Sequence, residues 1–197
     1  MGIKSTEEKK EKLPLSFYQK EETLEIAQAL LGKYLLTSFD GNLTGGMIIE
    51  VEAYKGAEDK ACHAYKNRRT KRTEAMFASG GHAYVYFCYG IHHLFNIVTH
   101  KENTPHAILI RALKPTHGIE TMIKRRKKKN LTDGPATLTQ ALGIHTSHTG
   151  LSLTSNEIWL EDRGITIPKN QIIATPRIGI DYAEEDRMLP YRFLIAK

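Results

Sequence analysis

Residues 82–113 read HAYVYFCYGIHHLFNIVTHKENTPHAILIRAL. Three strand-like runs, HAYVYFCY, HLFNIVTH and AILIRAL, crowd into this window, and the first runs straight into a Tyr-Gly turn. Upstream, KYLLTSF and LTGGMIIEVEAY are joined through Asp40-Gly41-Asn42, a strong hairpin signal. Downstream, short strands are expected at IWLE, QIIATPRIGI and YRFLIA. Helices are expected at residues 22–31, where apolar residues recur at helical spacing before Gly32, near GIETMIKRRKKK, and at PATLTQALG with Pro135 at its start. Residues 55–81 are polar and basic and read as a long ordered loop with one helical turn at EAMF; such a loop inside a compact domain is usually functional. Strands grouped together, with helices before and after them, predict an α+β fold: a single domain with a mostly antiparallel curved sheet and flanking helices.

The composition fits that reading. A chain of 197 residues with 41% hydrophobic and 25% charged residues can bury its own core. Only Cys62 and Cys88 are present, too few for a disulfide framework or a four-cysteine zinc site. No signal peptide or membrane-length run is visible, so an intracellular protein is expected. Residues 1–13 read as a disordered charged tail and 14–197 as the domain. The net charge of +6 suits a polyanionic partner as well as it suits an ordinary basic protein. Its distribution says more, because basic residues concentrate in KNRRTKR (66–72) and KRRKKK (124–129).

Sorted by a period of two, the strand MIIEVEAY places Ile49, Val51 and Ala53 on one face and Ile48, Glu50, Glu52 and Tyr54 on the other. The acids are either a solvent face or, flanked by Ile and Val, paired or used as a base. Tyr84 and Tyr86 share a face of the next strand. With Tyr54 they either pack across strands or wall a slot for a flat ring. Tyr89, at the turn before Gly90 and Ile91, has the placement of a wedge that enters distorted duplex DNA. Arg111 interrupts an aliphatic strand and needs an acid partner, or else positions a phosphate or a water. Cys62, His63, Cys88, His92 and His93 lack any recognised zinc-ligand spacing, so no metal is expected. A nucleophile elbow, a Walker loop and a dinucleotide fingerprint are also absent from the sequence.

GMIIEVEAYKGAEDKACHAYKNRRTKR, MFASGGHAYVYFCYGIHHLFNIV, AILIRALKP, DGPATLTQALGI and PRIGI, in this order, resemble the alkyladenine (3-methyladenine) DNA glycosylase family over roughly residues 14 to 197. The resemblance implies a monofunctional enzyme without metal or cofactor. Such an enzyme flips a damaged purine (3-methyladenine, 7-methylguanine, hypoxanthine or ethenoadenine) out of duplex DNA and hydrolyses its N-glycosidic bond. It implies Glu52 as general base and Arg111 as holder of the water. Tyr54, His63, Tyr86, Asn96 and the 177–180 backbone at Ile178 would form the base pocket, while Tyr84 and Glu50 would be structural. Tyr89 and Ile91 would form a protruding, DNA-inserting hairpin tip, and Lys66, Arg68, Arg69 and Thr137 would face the DNA backbone. Ile91 stands where animal members carry methionine, and Thr137 where they carry lysine. The partner implied is double-stranded DNA bearing a damaged purine, bound by a monomer. The location would be the nucleoid of a bacterium or the nucleus of a eukaryote. A non-catalytic module for distorted DNA and a metal-dependent nuclease or deaminase are the rival readings.

Overall fold

The computed structural model describes residues 10–196. Its strands are β1 (Glu11–Lys12), β2 (Tyr34–Phe39), β3 (Asn42–Tyr54), β4 (Ala83–Cys88), β5 (His92–Thr99), β6 (His106–His117), β7 (Ile158–Asp162), β8 (Ile172–Thr175) and β9 (Arg192–Ile195). Its α-helices are α1 (Leu15–Tyr18), α2 (Thr23–Leu30), α3 (Ile119–Arg126) and α4 (Pro135–Leu142). The nine strands form one sheet in the order β1-β7-β2-β3-β6-β5-β4, with β8 and β9 branching from β3. Every pairing is antiparallel, and the fold is the single-domain α+β arrangement expected.

β3 is the spine. Its first half pairs with β2, its second half with β9, and its other edge with β6 along nearly its whole length. Gly45 and Gly46 permit this crowding: a Cβ there would lie 2.3 Å from the Leu35 and Lys114 carbonyl oxygens. The β2–β3 turn carries left-handed backbone at both Asp40 and Gly41 (φ 51° and 73°), the geometry a two-residue hairpin requires.

One face of the sheet carries the main core. Val51, Ala53, Val85, Phe95, Ile97, Ile108 and Ile110 pack there against Ile26, Ala27 and Leu30 of α2, Met122 of α3 and Leu138, Ala141 and Leu142 of α4. On the other face Tyr84, Val98 and Ala107 pack against Cys62, Ala64, Met76 and Phe77 of the 55–81 segment. Burial on both faces explains why the central strands read as nearly continuous apolar runs. The edge strand β4 is covered by chain rather than left open, since Thr149 Oγ1 accepts the Val85 N–H and donates to the Val85 carbonyl.

Two expectations change. Residues 1–9 of the anticipated tail lie outside the described residues, but Glu11 and Lys12 pair with β7 and Leu13 is buried, so the fold begins before residue 14. QIIATPRIGI is not one strand: β8 ends at Thr175, because Pro176 lacks the N–H needed to continue a ladder, and residues 177–180 form a loop.

Candidate active site

Two bulges create the site. Along β3 and β6 the partners are Ile48↔Leu113, Glu50↔Ala112 and Val51↔Ile110, which leaves Ile49 and Arg111 each as an extra residue opposite none. A bulge flips the phase of alternation. Ile48 therefore joins Val51 and Ala53 in the main core, correcting the expectation that it shares a face with the two acids. The same irregularity aims Arg111 at both acids, with Nε 3.0 Å from Glu50 Oε1 and Nη1 3.2 Å from Glu52 Oε1. Arg192 of β9 also donates to Glu50 Oε1 at 2.6 Å, so Glu50 clamps three strands together through two arginines.

Glu52 is fully buried. Its Oε1 accepts the Ile178 N–H at 2.9 Å and is ion-paired to Arg111 Nη1 at 3.2 Å, and its Oε2 accepts the Tyr54 hydroxyl at 2.8 Å. A carboxylate offers about four acceptor positions, two on each oxygen, so with one taken by Tyr54 a position remains on Oε2, while Oε1 is shared by Ile178 and the facing Arg111. Burial first, and then the neighbouring Glu52, raises the Tyr54 phenol well above its ordinary range, which keeps it a donor to Glu52.

These groups lie in a cavity of about 460 Å³, a volume typical of small-molecule sites. Its walls are aromatic, with Tyr54, Tyr84 and Tyr86 facing His63 from the 55–81 segment. The His63 ring stands edge-on to Tyr86, 4.6 Å between centroids. Its Nε2 lies 3.3 Å from Arg72 Nη2 and its Nδ1 2.9 Å from the Tyr84 hydroxyl. A guanidinium only donates, so Nε2 accepts and Nδ1 carries the proton toward Tyr84. Burial, followed by Arg72 and Arg68, pushes His63 down to about 4, so the ring is neutral. Asn96 is buried, and its amide nitrogen donates to the Tyr84 and Leu94 carbonyls, which fixes the side chain and turns its oxygen to the remaining space.

The β4–β5 hairpin places Tyr89 at the cavity mouth, 86% exposed, with Ile91 beside it, 69% exposed. Tyr89 and Gly90 both have left-handed backbone (φ 50° and 68°). That conformation suits Gly90 and is strained for a tyrosine, so a turn built only for stability would have Asn or Gly at position 89.

Of the residues singled out from sequence, Glu52, Tyr54, His63, Tyr86, Tyr89, Asn96, Arg111 and Ile178 line this one cavity. Ile178 brings its N–H to Glu52 at 2.9 Å, so the 177–180 backbone reaches the acid as a main-chain donor. Lys66, Arg68 and Arg69 are exposed, and Arg69 is already paired with Glu74 at 2.6 Å. Thr137 caps α4, its Oγ1 accepting the Gly134 N–H at 2.9 Å. Among the described residues no group of three or more His, Cys, Asp or Glu is placed to hold a metal ion.

Sequence reasoning missed Arg177 and Asp59. They form a buried bidentate pair, Nη1–Oδ2 2.5 Å and Nη2–Oδ1 2.9 Å, and Arg177 stacks 4.8 Å over Tyr54. This pair anchors the 177–180 loop against the cavity. It also missed Arg72, which was read only as one charge in a basic run, and Tyr182, which lines the cavity and donates to the Ala61 carbonyl at 3.0 Å.

The chain as a whole is similar to known proteins. A family model described as methylpurine-DNA glycosylase covers residues 16–197. Proteins provisionally named 3-methyladenine DNA glycosylase are similar over most of their length. That of Chlamydia felis is 50% identical over 93% of this chain and 95% of its own, and that of Bacillus cereus strain G9842 is 48% identical over 91% and 93%. The Chlamydia pneumoniae protein is 48% identical, again over 91% of this chain and 93% of its own. The class is thereby defined: the protein is a DNA glycosylase, a hydrolase of N-glycosyl bonds whose substrate is DNA. Within that class, the chain belongs to the methylpurine-DNA glycosylase family and to DNA repair of alkylated bases.

Proposed function

We propose that this enzyme, acting as a monomer, rotates a damaged purine out of double-stranded DNA into the aromatic cavity and hydrolyses its glycosidic bond with a water activated by Glu52. The observation that carries the reading is Glu52 itself, fully buried, hydrogen-bonded by Tyr54 and Ile178, ion-paired to Arg111, and retaining an acceptor position on Oε2. A water donating to that position is a nucleophile aimed from the cavity floor. As the bond from the sugar C1′ to the purine nitrogen breaks, the electron pair leaves with the base and positive charge grows on the sugar. A carboxylate both stabilises that charge and takes the water proton as the new C1′–O bond forms. Arg111 orients Glu52 and the water, and no metal or cofactor enters the scheme.

Tyr54 and Tyr86, with His63, sandwich the flipped base. Asn96 meets its edge and Tyr89 with Ile91 fills the gap left in the duplex. Lys66 and Arg68 face phosphates. In Arg69 and Thr137 the same role competes with the contacts to Glu74 and to the α4 N-terminus. Purines methylated at N3 or N7 carry positive charge and leave readily, whereas hypoxanthine and ethenoadenine are neutral and depend more on the protein. Flipping is least costly for a damaged or mispaired base, which adds selectivity. The reading is tested by incubating labelled duplexes, each with one of the four lesions, with the enzyme in EDTA and then treating them with hot alkali. Strand breaks that appear only after alkali are expected on at least one lesion; breaks before alkali, or none on any lesion, would contradict it.

A further inference from the structure

The second basic run, residues 124–129, takes no part in the cavity. α3 ends at Arg126, where Lys127 turns the chain with left-handed backbone (φ 54°) and donates its N–H to the Ile123 carbonyl at 2.7 Å. Lys124, Arg125 and Arg126 stand in the last turn, where cations offset the helix dipole. Both arginines are also used inside the fold, Arg125 donating to the Ala141 carbonyl and Arg126 to the Asn130 carbonyl. Lys127, Lys128 and Lys129 lie beyond the helix and are exposed. None of the three forms an ion pair among the described residues, whereas Lys33, Lys55 and Lys60 are each paired with an acid. Three unpaired like charges in succession repel one another, so the stability of the fold does not account for them.

The loop that carries them is fixed in place. Buried Thr132 exchanges two hydrogen bonds with Leu113 of β6: its carbonyl accepts the Leu113 N–H at 3.0 Å, and its Oγ1 donates to the Leu113 carbonyl at 2.8 Å. Thr139 of α4 donates to the His93 carbonyl at 2.6 Å, at the base of the hairpin that carries Tyr89. α3 and α4 lie on the main-core face of the sheet, and the 55–81 segment with its own basic run lies on the other. The hairpin tip therefore projects from a sheet that has a basic segment on each face. We propose that Lys127, Lys128 and Lys129 form a second DNA-backbone surface, which holds the duplex flanking the lesion on one side of the hairpin while residues 66–72 hold it on the other. The proposal rests on the reading above, in which Tyr89 enters the duplex. A duplex lying across the tip continues past it on both sides, with one negative charge per ~1.7 Å of axis. Lysines on flexible stems meet such charges without reading sequence.

The experiment compares wild type with the triple variant Lys127→Gln, Lys128→Gln, Lys129→Gln, and with Lys10→Gln, which removes an exposed charge beside β1 at the opposite edge of the sheet. Binding is followed by anisotropy against salt on long duplexes with and without one lesion, and on two shortened duplexes that end close to the lesion on its upstream or its downstream side. The triple variant should reduce the slope of log affinity against log salt by about 2–3 on both long duplexes and weaken lesion binding by about tenfold or more at low salt. Lys10→Gln should leave the slope unchanged. On one of the shortened duplexes the triple variant and wild type should bind alike, because the flank that the lysines hold is missing. Single-turnover excision at saturating enzyme should be the same for both. An unchanged slope in the triple variant, or a loss that persists on both shortened duplexes, would overturn the surface. Absence of wild-type excision, with the slope on undamaged duplex still reduced in the triple variant, would instead remove the base-flipping scheme and leave the lysines as a DNA-backbone surface.

Discussion

Asp59 and Arg177, 118 residues apart in sequence, meet in a bidentate ion pair beneath Tyr54. Both side chains are almost wholly buried (1% and 0% exposed). The pair fastens the loop that delivers the Ile178 N–H to Glu52, so one electrostatic contact ties the stability of the fold to the geometry of the acid. Removing one partner strands a buried charge. Asp59→Ala is expected to destabilise the protein by about 3–5 kcal/mol in urea unfolding, and Asp59→Ala with Arg177→Met by clearly less. A loss of under about 1 kcal/mol for the single variant would mean that the pair is not the anchor described.

Stability should depend on pH through two half-buried imidazoles. His63 and His106 are both held near 4, against an ordinary 6.5, with burial the first cause in each. The folded protein therefore binds these protons more weakly than the unfolded chain. The stabilisation is complete above about 6.5 and is lost as the pH falls from there through 4. The urea midpoint should drop between pH 7 and pH 5, and His106→Gln should flatten that slope; parallel slopes for variant and wild type would exclude His106 as a source.

The hairpin tip sets stability against function. Tyr89 occupies left-handed backbone while almost fully exposed, so Tyr89→Asn should hold or raise stability, by up to about 1 kcal/mol. Binding to lesion duplex, followed by anisotropy, should weaken by about tenfold, with less effect on the bond-breaking step once bound. A variant that is both less stable and equally tight on DNA would contradict the wedge assignment.

Salt titrations separate the exposed basic residues. Arg68→Ala should reduce the slope of log affinity against log salt by about 1, as expected when one phosphate contact is lost. Arg69→Ala should change it less, because that guanidinium is already paired with Glu74. Equal effects would show that the Glu74 pairing yields when DNA arrives.

Much of this architecture was legible because strands and helices of ordinary length repeat their apolar residues. β2 through β6, α2 and α4 follow from alternation, helical spacing and turn residues alone. β1 and α1, at two and four residues, are too short to show a period. The bulge at Ile49 left no trace, since Ile48 and Ile49 are both apolar and either phase satisfies the pattern. In the site, Glu52 and Tyr54 could be grouped because they share one strand. His63 came from the family resemblance, for nothing local says that the 55–81 segment lies over the sheet. Arg177 and Asp59 were missed because their pairing is a long-range event with no local signature, and Arg72 because a charge in a basic run looks like its neighbours.

If the buried Glu52 activates the water, Glu52→Gln removes the base while keeping the shape of the side chain. Single-turnover excision from a duplex with one lesion, in EDTA and developed with alkali, should be slower by about 10²–10⁴-fold in the variant, with lesion-duplex binding retained. A variant within about tenfold of wild type would contradict the account and move the catalytic role away from Glu52.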